Sequence, residues 1–386
     1  MSQTVETYPE IREAVAKLCG EFPGEYWRRL DREMAYPQEF VDALTEAGWL
    51  SVLIPEEYGG AGLPLSAAAA ILEEMQRAGC NGGACHAQMY TMGTLLRHGS
   101  AEQKEKYLPK IASGELRLQA FGVTEPTSGT DTGALKTIAK RDGDHFVING
   151  QKIWTSRAEY SDLMLLLART TPLKEGMKKT EGLSVLLVDM REAVGNGLTI
   201  RPIRTMMNHA TTEVFFDNLR VPVANLIGEE GRGFRYILSG MNAERILIAS
   251  ECVGDAKWFI EKSVDYAKNR SVFGRPIGQN QGIQFPIAKA YANMRAAELM
   301  VREALGLYEA GANPGAEANM AKMLAADASF EAANAAIQTH GGFGFAEEYD
   351  VERKFRETRL YQVAPISTNL ILSYLAEHVL GLARSY

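Results

Sequence analysis

Cysteine is scarce in this chain. The four present, Cys19, Cys80, Cys85 and Cys252, include no CxxC pair, which argues against a disulfide framework and fits a reducing compartment with the thiols packed as small apolar groups. Cys80, Cys85 and His86 could be drawn as metal ligands, but Asn-Gly-Gly intervenes between the cysteines and no second pair matches them. Packing is the better reading, and no metal is assigned. Charge of one sign is also thin. Lys and Arg number 41 against 48 Asp and Glu, the net charge is −7, and no Lys/Arg run exceeds three residues, so neither a nucleic-acid groove nor a polybasic membrane anchor is indicated. No apolar stretch reaches the roughly 18 residues of a membrane span. The opening MSQTVETYPEIREAV carries Glu6, Glu10 and Glu13 and no apolar core, so neither a secretory signal nor an Arg-rich transit peptide is visible, and the cytoplasm is the expected compartment. Familiar catalytic spacings are missing too. Without GxSxG, HExxH, GxxxxGK[ST] or a GxGxxG after a strand, the hydrolase, zinc-protease and Walker-type classes fall away.

What is present is a globular composition, 46% hydrophobic and 23% charged over 386 residues, too long for one small domain. Up to about Leu116 the apolar residues recur three and four apart, as in PQEFVDALTEAGWL and LSAAAAILEEMQRAG, which predicts helices. Ser100 and Gln103 have capping-box spacing ahead of another helix. From about Gln119 to Gly228 the period shortens to β-rich runs: HFVI, QKIW, DLMLLLA, GLSVLLVDM, LTIRPI and TEVFFDNLRV. Asn149-Gly150 between the first two is expected to be a two-residue hairpin turn. After Gly233 four long amphipathic runs predict a helical bundle, the last over STNLILSYLAEHVLGL. The expected fold is α+β and mostly helical. It has an N-terminal helical domain over 1–117, a β-barrel-like middle domain over 118–228 and a C-terminal four-helix bundle over 229–386, with no internal repeat.

Two segments suggest a binding site. FGVTEPTSGTDTGALKT, residues 121–137, starts as a strand and then offers hydroxyls and backbone N–H groups; alone it reads as a turn-rich loop. NGQKIWTS follows, where Trp154 supplies a flat apolar face and Thr155 and Ser156 supply hydrogen bonds beside it. Together they could clasp a planar heterocycle.

VTEPTSGTD followed by INGQKIWTS resembles the two flavin-binding segments of the acyl-CoA dehydrogenase family. NRSVFGRPIGQNQ, QTHGGFGF and FRETRLYQ are similar in type and order to further signatures of that family, so the resemblance spans nearly the whole chain. It implies an acyl-CoA dehydrogenase-like fold and FAD as cofactor. The implied reaction is desaturation of an acyl-CoA thioester, as in β-oxidation of fatty acids, with electrons passing to an electron-transfer flavoprotein. It also implies a homotetramer. By position, Phe121, Val123, Thr124 and Thr130 would line the isoalloxazine and substrate edge, with Trp154, Thr155 and Ser156 against the flavin. Arg270, Phe273 and Gln281 would meet the diphosphate and adenine side, and Gln338, Gly341 and Gly342 would approach the cofactor from a neighbouring subunit. Thr368 and Leu370 would complete the cofactor contacts, and Asn242, Arg245 and Ile366 would join Thr130 around the substrate. Locally, QTHGG also reads as a Gly-terminated helix, while Arg270 can offer a forked donor to phosphate.

Many members of the family carry the catalytic glutamate in a Tyr-Glu-Gly-Thr run shortly after a segment like FRETRLYQ. Here the text is VAPIST, residues 363–368, without a carboxylate. A minority, including the isovaleryl-CoA and long-chain enzymes, place it on a helix before an arginine, and Glu244-Arg245 in SGMNAERILIAS matches that arrangement. Removal of an α-proton needs one carboxylate with its pKa brought toward neutrality by burial, which Glu244 could supply; the plain alternative is a solvated helix residue. The family also holds the thioester oxygen with a backbone N–H. An ungapped reading puts Pro365 there, which has none, and a one-residue insertion puts Ile366 there, the register that restores the donor. Space freed near Ile366 points to a branched or medium acyl chain. Two other functions remain open: a family-fold flavin monooxygenase, oxidase or desulfinase, and a flavin-binding subunit without turnover.

Overall fold

A computed structural model describes residues 7–384; residues 1–6, with Glu6 and the start of the leader reading, lie outside it. Six helices come first: α1 (Pro9–Cys19), α2 (Gly24–Glu33), α3 (Gln38–Glu46), α4 (Leu65–Arg77), α5 (Gly83–His98) and α6 (Ala101–Ala112). The sheet region follows with β1 (Leu118–Gly122), β2 (Ile138–Asp142), β3 (His145–Ser156), β4 (Leu163–Arg169), β5 (Leu183–Asp189), a short α7 (Met190–Ala193), β6 (Leu198–Pro202), β7 (Thr211–Pro222) and β8 (Leu226–Ile227). Then come α8 (Gly233–Asn269), a small hairpin of β9 (Ser271–Val272) and β10 (Arg275–Pro276), α9 (Gln281–Glu309), α10 (Gly315–His340), α11 (Val351–Arg359) and α12 (Thr368–Tyr374). This is the expected mostly helical α+β order: helical, sheet, helical. No described helix is long and apolar enough to cross a membrane.

The contacts gather into two compact units. Among the described residues one holds 7–33, Pro64–Gly82 and 242–384; the other holds Met34–Leu63 and Gly83–Met241. The second unit is built on a sheet of order β6-β7-β3-β2-β4-β5-β8, with β1 parallel to β4. Strand β4, LMLLLAR, is buried along nearly its whole length, as a run with almost no polar alternation should be. Leu163, Leu165 and Leu167 pack with Met92 and Leu95 of α5 and Leu108 and Ile111 of α6. The alternate residues Met164, Leu166 and Ala168 pack with Phe146, Ile148, Val214 and Phe216. The Ser100–Gln103 capping box forms at the start of α6.

Three local expectations meet a clear answer. Asn149-Gly150 is not a turn. HFVINGQKIWTS is one continuous strand, β3, and the hairpin turn is Gly143-Asp144, where Asp142 pairs with His145 and Gly143 has φ +62°. Asn149 spends its side chain across the sheet instead: its Oδ1 accepts from the Asn218 backbone N–H at 2.9 Å, and the register with β7 shifts at Gly150. The last helix is shorter than its apolar run, because α12 ends at Tyr374 and a π turn covers Leu375–Val379. The four cysteines are free and buried, as packing residues are.

In the helical unit α8 crosses α4 closely. A Cβ on Gly254 would overlap the backbone carbonyl oxygen of Glu73 and stand 2.9 Å from Gln76 Cβ. Neither helix backbone can yield locally, so the pair would have to separate. Gly254→Ala is expected to cost about 1–3 kcal/mol, the usual range for overpacking, read as a lowered urea midpoint with the far-UV spectrum unchanged.

Candidate active site

In the sheet unit the two hydroxyl-rich segments meet. Leaving β1, the chain passes Phe121, Val123 and Thr124, all half-buried, and loops out to an exposed Thr130. The Thr124 carbonyl accepts from the Ile153 N–H of β3 at 2.9 Å. The adjoining residues hold the join from inside. Lys152, fully buried, donates to the Val123 carbonyl at 3.0 Å and to Glu125 Oε1 at 2.9 Å. The Glu125 carboxylate also accepts from the backbone N–H groups of Lys136 at 2.6 Å and Thr137 at 2.8 Å. Burial pushes the Glu125 carboxyl up, but the Lys152 charge and these donors outweigh it and hold its pKa below the ordinary value. Burial brings the Lys152 ammonium down to about 8 despite its partner. These two residues were not among the candidates, although each sits in a quoted segment and Lys152 is the one charge of NGQKIWTS.

The pair fixes how β3 ends. Register with β7 slips between Ile153 and Thr155, and Trp154 between them has φ +60°. Such a bulge re-aims a side chain, and the indole is 56% exposed although its neighbour Thr155 is buried. Thr155 Oγ1 has no hydrogen-bond partner among the described residues, and Ser156 Oγ lies 3.4 Å from Thr211 Oγ1. An open indole face, half-buried Phe121 and Val123 and an unspent hydroxyl fit a planar heterocycle with a polar rim, so the residues present fit the isoalloxazine of FAD.

In the helical unit Glu244 lies on α8 at 9% exposure. It is not a solvated helix residue. Arg245 donates to Asn242 Oδ1 at 3.0 Å, and its Nε is buried without a hydrogen-bond partner among the described residues. Burial lowers the Arg245 pKa, opposed by the neighbouring Glu244 carboxylate, and Tyr374 lies close enough to act on it, so α8 and α12 are neighbours there. Ile366 precedes Ser367, the cap of α12, whose Oγ accepts from the Leu370 N–H at 3.4 Å; Thr368 opens that helix. The Ile366 carbonyl accepts from Lys322 of α10 at 2.7 Å. Lys322 was also missed, with only its isolation in ANMAKMLAADA to mark it.

The remaining candidates of this unit are exposed. Arg270 precedes β9 and its guanidinium carbon stands 6.0 Å from the Phe343 ring centre, so the NRSVFGRPIGQNQ and QTHGGFGF segments meet. Phe273, at the hairpin tip with φ +53°, is fully exposed. Gln281 opens α9, and Gln338 lies in the last turn of α10. Helix α10 does end at the glycines, Gly341 having φ +58°, and no atom lies within 4 Å of where a Cβ would stand on Gly341 or Gly342.

The helical, sheet and helical order thus carries a surface that fits a flavin ring and a buried carboxylate. Three family models match in sequence: "Acyl-CoA dehydrogenase, N-terminal domain" over residues 6–115, the middle domain over 120–219 and the C-terminal domain over 231–380. An acyl-CoA dehydrogenase of Mycobacterium tuberculosis (strain ATCC 25618 / H37Rv) is 34% identical over 379 residues, covering 97% of this chain and 96% of that protein. The structure of a glutaryl-coenzyme A dehydrogenase glutaryl-CoA complex has a TM-score of 0.89 at 30% identity, over 97% of this chain and 95% of that one. A chain from a structure described as "Electron transferring flavoprotein of Acidaminococcus fermentans" has a TM-score of 0.91 at 29% identity, over 98% and 99%. The chain belongs to the acyl-CoA dehydrogenase family, whose members are FAD-dependent oxidoreductases.

Removing one partner of a buried ion pair strands the other charge. Lys152→Met is therefore expected to cost about 3–5 kcal/mol of stability, measured by denaturant unfolding, and to lower the FAD content of the purified protein.

Proposed function

We propose that this chain desaturates an acyl-CoA thioester between its α and β carbons, with Glu244 as the base. The observation that carries the reading is a buried carboxylate on α8 in a chain whose VAPIST segment offers none. Bound FAD supplies the acceptor for the β-hydrogen and its electron pair. Glu244 takes the α-proton onto a carboxylate oxygen, and burial keeps water from competing for that position. Trp154 offers its face to the flavin ring, and Thr155 and Ser156 hydrogen-bond its rim, with Phe121, Val123, Thr124 and Thr130 along the substrate edge. The thioester oxygen gains charge as the α-proton leaves, and the Ile366 backbone N–H donates to it; Pro365 has no N–H to give. Asn242 and Arg245 complete the substrate side.

Arg270, Phe273, Gln281, Gln338, Gly341 and Gly342 serve the diphosphate and adenine end, and Thr368 and Leu370 add cofactor contacts. The exposure of the first six on one chain supports a homotetramer in which neighbours complete one another's sites. The likeness to a chain from an electron-transferring flavoprotein structure supports an electron-transfer flavoprotein as acceptor. A base on a helix leaves the VAPIST loop free of a carboxylate and supports a branched or medium acyl chain.

The test is anaerobic titration with straight and branched saturated acyl-CoAs, following the flavin absorbance. Branched or medium chains are expected to bleach it fastest. Glu244→Gln is expected to bind the same ligand and bleach about 10²–10⁴-fold more slowly, the usual contribution of a general base. Bleaching at the full rate in that variant would sink the assignment.

A further inference from the structure

Among the described residues three lysines are fully buried: Lys152, Lys322 and Lys354. Two have a carboxylate beside them, Glu125 at 2.9 Å from Lys152 and Asp255 of α8 at 2.5 Å from Lys354. Lys322 has none at ion-pairing distance among the described residues, and its one hydrogen-bond acceptor among them is the Ile366 carbonyl, at 2.7 Å. Lysine is almost never fully buried unless paired, because an ammonium taken out of water without a counter-charge is costly. The surrounding helix, ANMAKMLAADA, is rich in small apolar residues and could have filled the position cheaply. Burial lowers the Lys322 pKa; its titratable neighbours are Cys252, whose buried thiol stays neutral, Asp327 and Arg245, the last of these beside Glu244 in the chain.

What the ammonium holds is the stretch of backbone that lacks regular structure. Ile366 lies between Pro365 and the cap residue of α12. Neither the Ile366 N–H nor the Ser367 N–H donates to another described residue. The Ile366 carbonyl and the Ser367 N–H belong to one rigid peptide plane, so a bond to the carbonyl fixes the direction of that N–H. Through the Ile366 Cα it also limits the N–H before it. A cation on the carbonyl further draws electron density through the amide and makes its N–H a better donor.

We propose that Lys322 is a positioning residue for the thioester oxygen: by holding the Ile366 carbonyl it aims the N–H groups around Ile366 at the oxygen that becomes negative when Glu244 takes the α-proton. The inference rests on the dehydrogenase reading. In the step concerned the α C–H bond breaks, the proton goes to Glu244, and the electron pair is delocalised onto the thioester oxygen as an enolate. No oxidant takes part until the β-hydrogen leaves.

That separation supplies the test. A 3-thiaacyl-CoA has sulfur at the β position and no hydride to give there, so the FAD-loaded protein can exchange its α-hydrogens with D2O, followed by mass spectrometry, without turnover. Lys322→Met is expected to slow exchange about 10–100-fold, somewhat less than outright loss of an oxyanion donor. FAD content, melting temperature and affinity for the analogue are expected to stay as in the parent protein. Lys322→Arg, which keeps a charged donor, is expected to restore most of the rate. Parental exchange in Lys322→Met, or equally slow exchange in both variants, overturns the proposal. Should Lys322→Met not hold FAD, the arginine variant decides alone: near-parental exchange sustains the proposal and slow exchange overturns it. Glu244→Gln run alongside keeps the two readings apart, because undiminished exchange there removes the base assignment, whatever the lysine variants do.

Discussion

The contact between Lys152 and Glu125 is the constraint on which the flavin-type cradle depends. The loop after β1 has little regular structure to hold it, yet it must keep backbone and hydroxyl groups in fixed directions. Glu125 supplies the anchor by accepting from Lys152 and from two backbone N–H groups farther along the same loop. One carboxylate thus closes the loop on itself and ties it to β3. The same ammonium takes the Val123 carbonyl, so the turn out of β1 and the bulge that exposes Trp154 share an anchor. Burial makes this costly in solvation and strict in geometry, since every lone pair left over would go unsatisfied.

Much of this was legible from sequence because periodicity and side-chain chemistry are local. The change from helical to alternating period marked the sheet region, and β4 announced its burial on both faces by a run almost free of polar residues. The flat face of Trp154 beside two hydroxyls was visible in the same way, and the structure leaves that indole exposed. The misreading at Asn149-Gly150 shows the limit. That dipeptide is a strong turn signal by itself, and only the cross-strand partner Asn218, 69 residues away, explains why the strand runs through it. Lys152 and Lys322 were missed on similar grounds: a lysine is presumed solvated until the structure shows what surrounds it. Glu244 is the converse case, a carboxylate whose burial spacing could not reveal.

On the proposed function, a base on a helix constrains the rest of the machinery. A glutamate on a loop can offer its carboxylate to the α-proton and its own N–H to the thioester oxygen. On α8, Glu244 lies well inside the helix, where its N–H belongs to the backbone ladder and is already spent. Base and oxyanion donor must then come from different elements, one stiff and one irregular. The stiff element needs no help. The irregular one begins with a proline that gives no N–H and ends at a helix cap, so its direction has to be imposed from outside by a group that can donate to a carbonyl and leave the neighbouring N–H groups unspent. A side chain that accepted hydrogen bonds would compete for those same N–H groups, and an apolar one would leave the peptide free to rotate. An ammonium donates and cannot accept, so among buried side chains it suits the position for the property that makes it costly to bury.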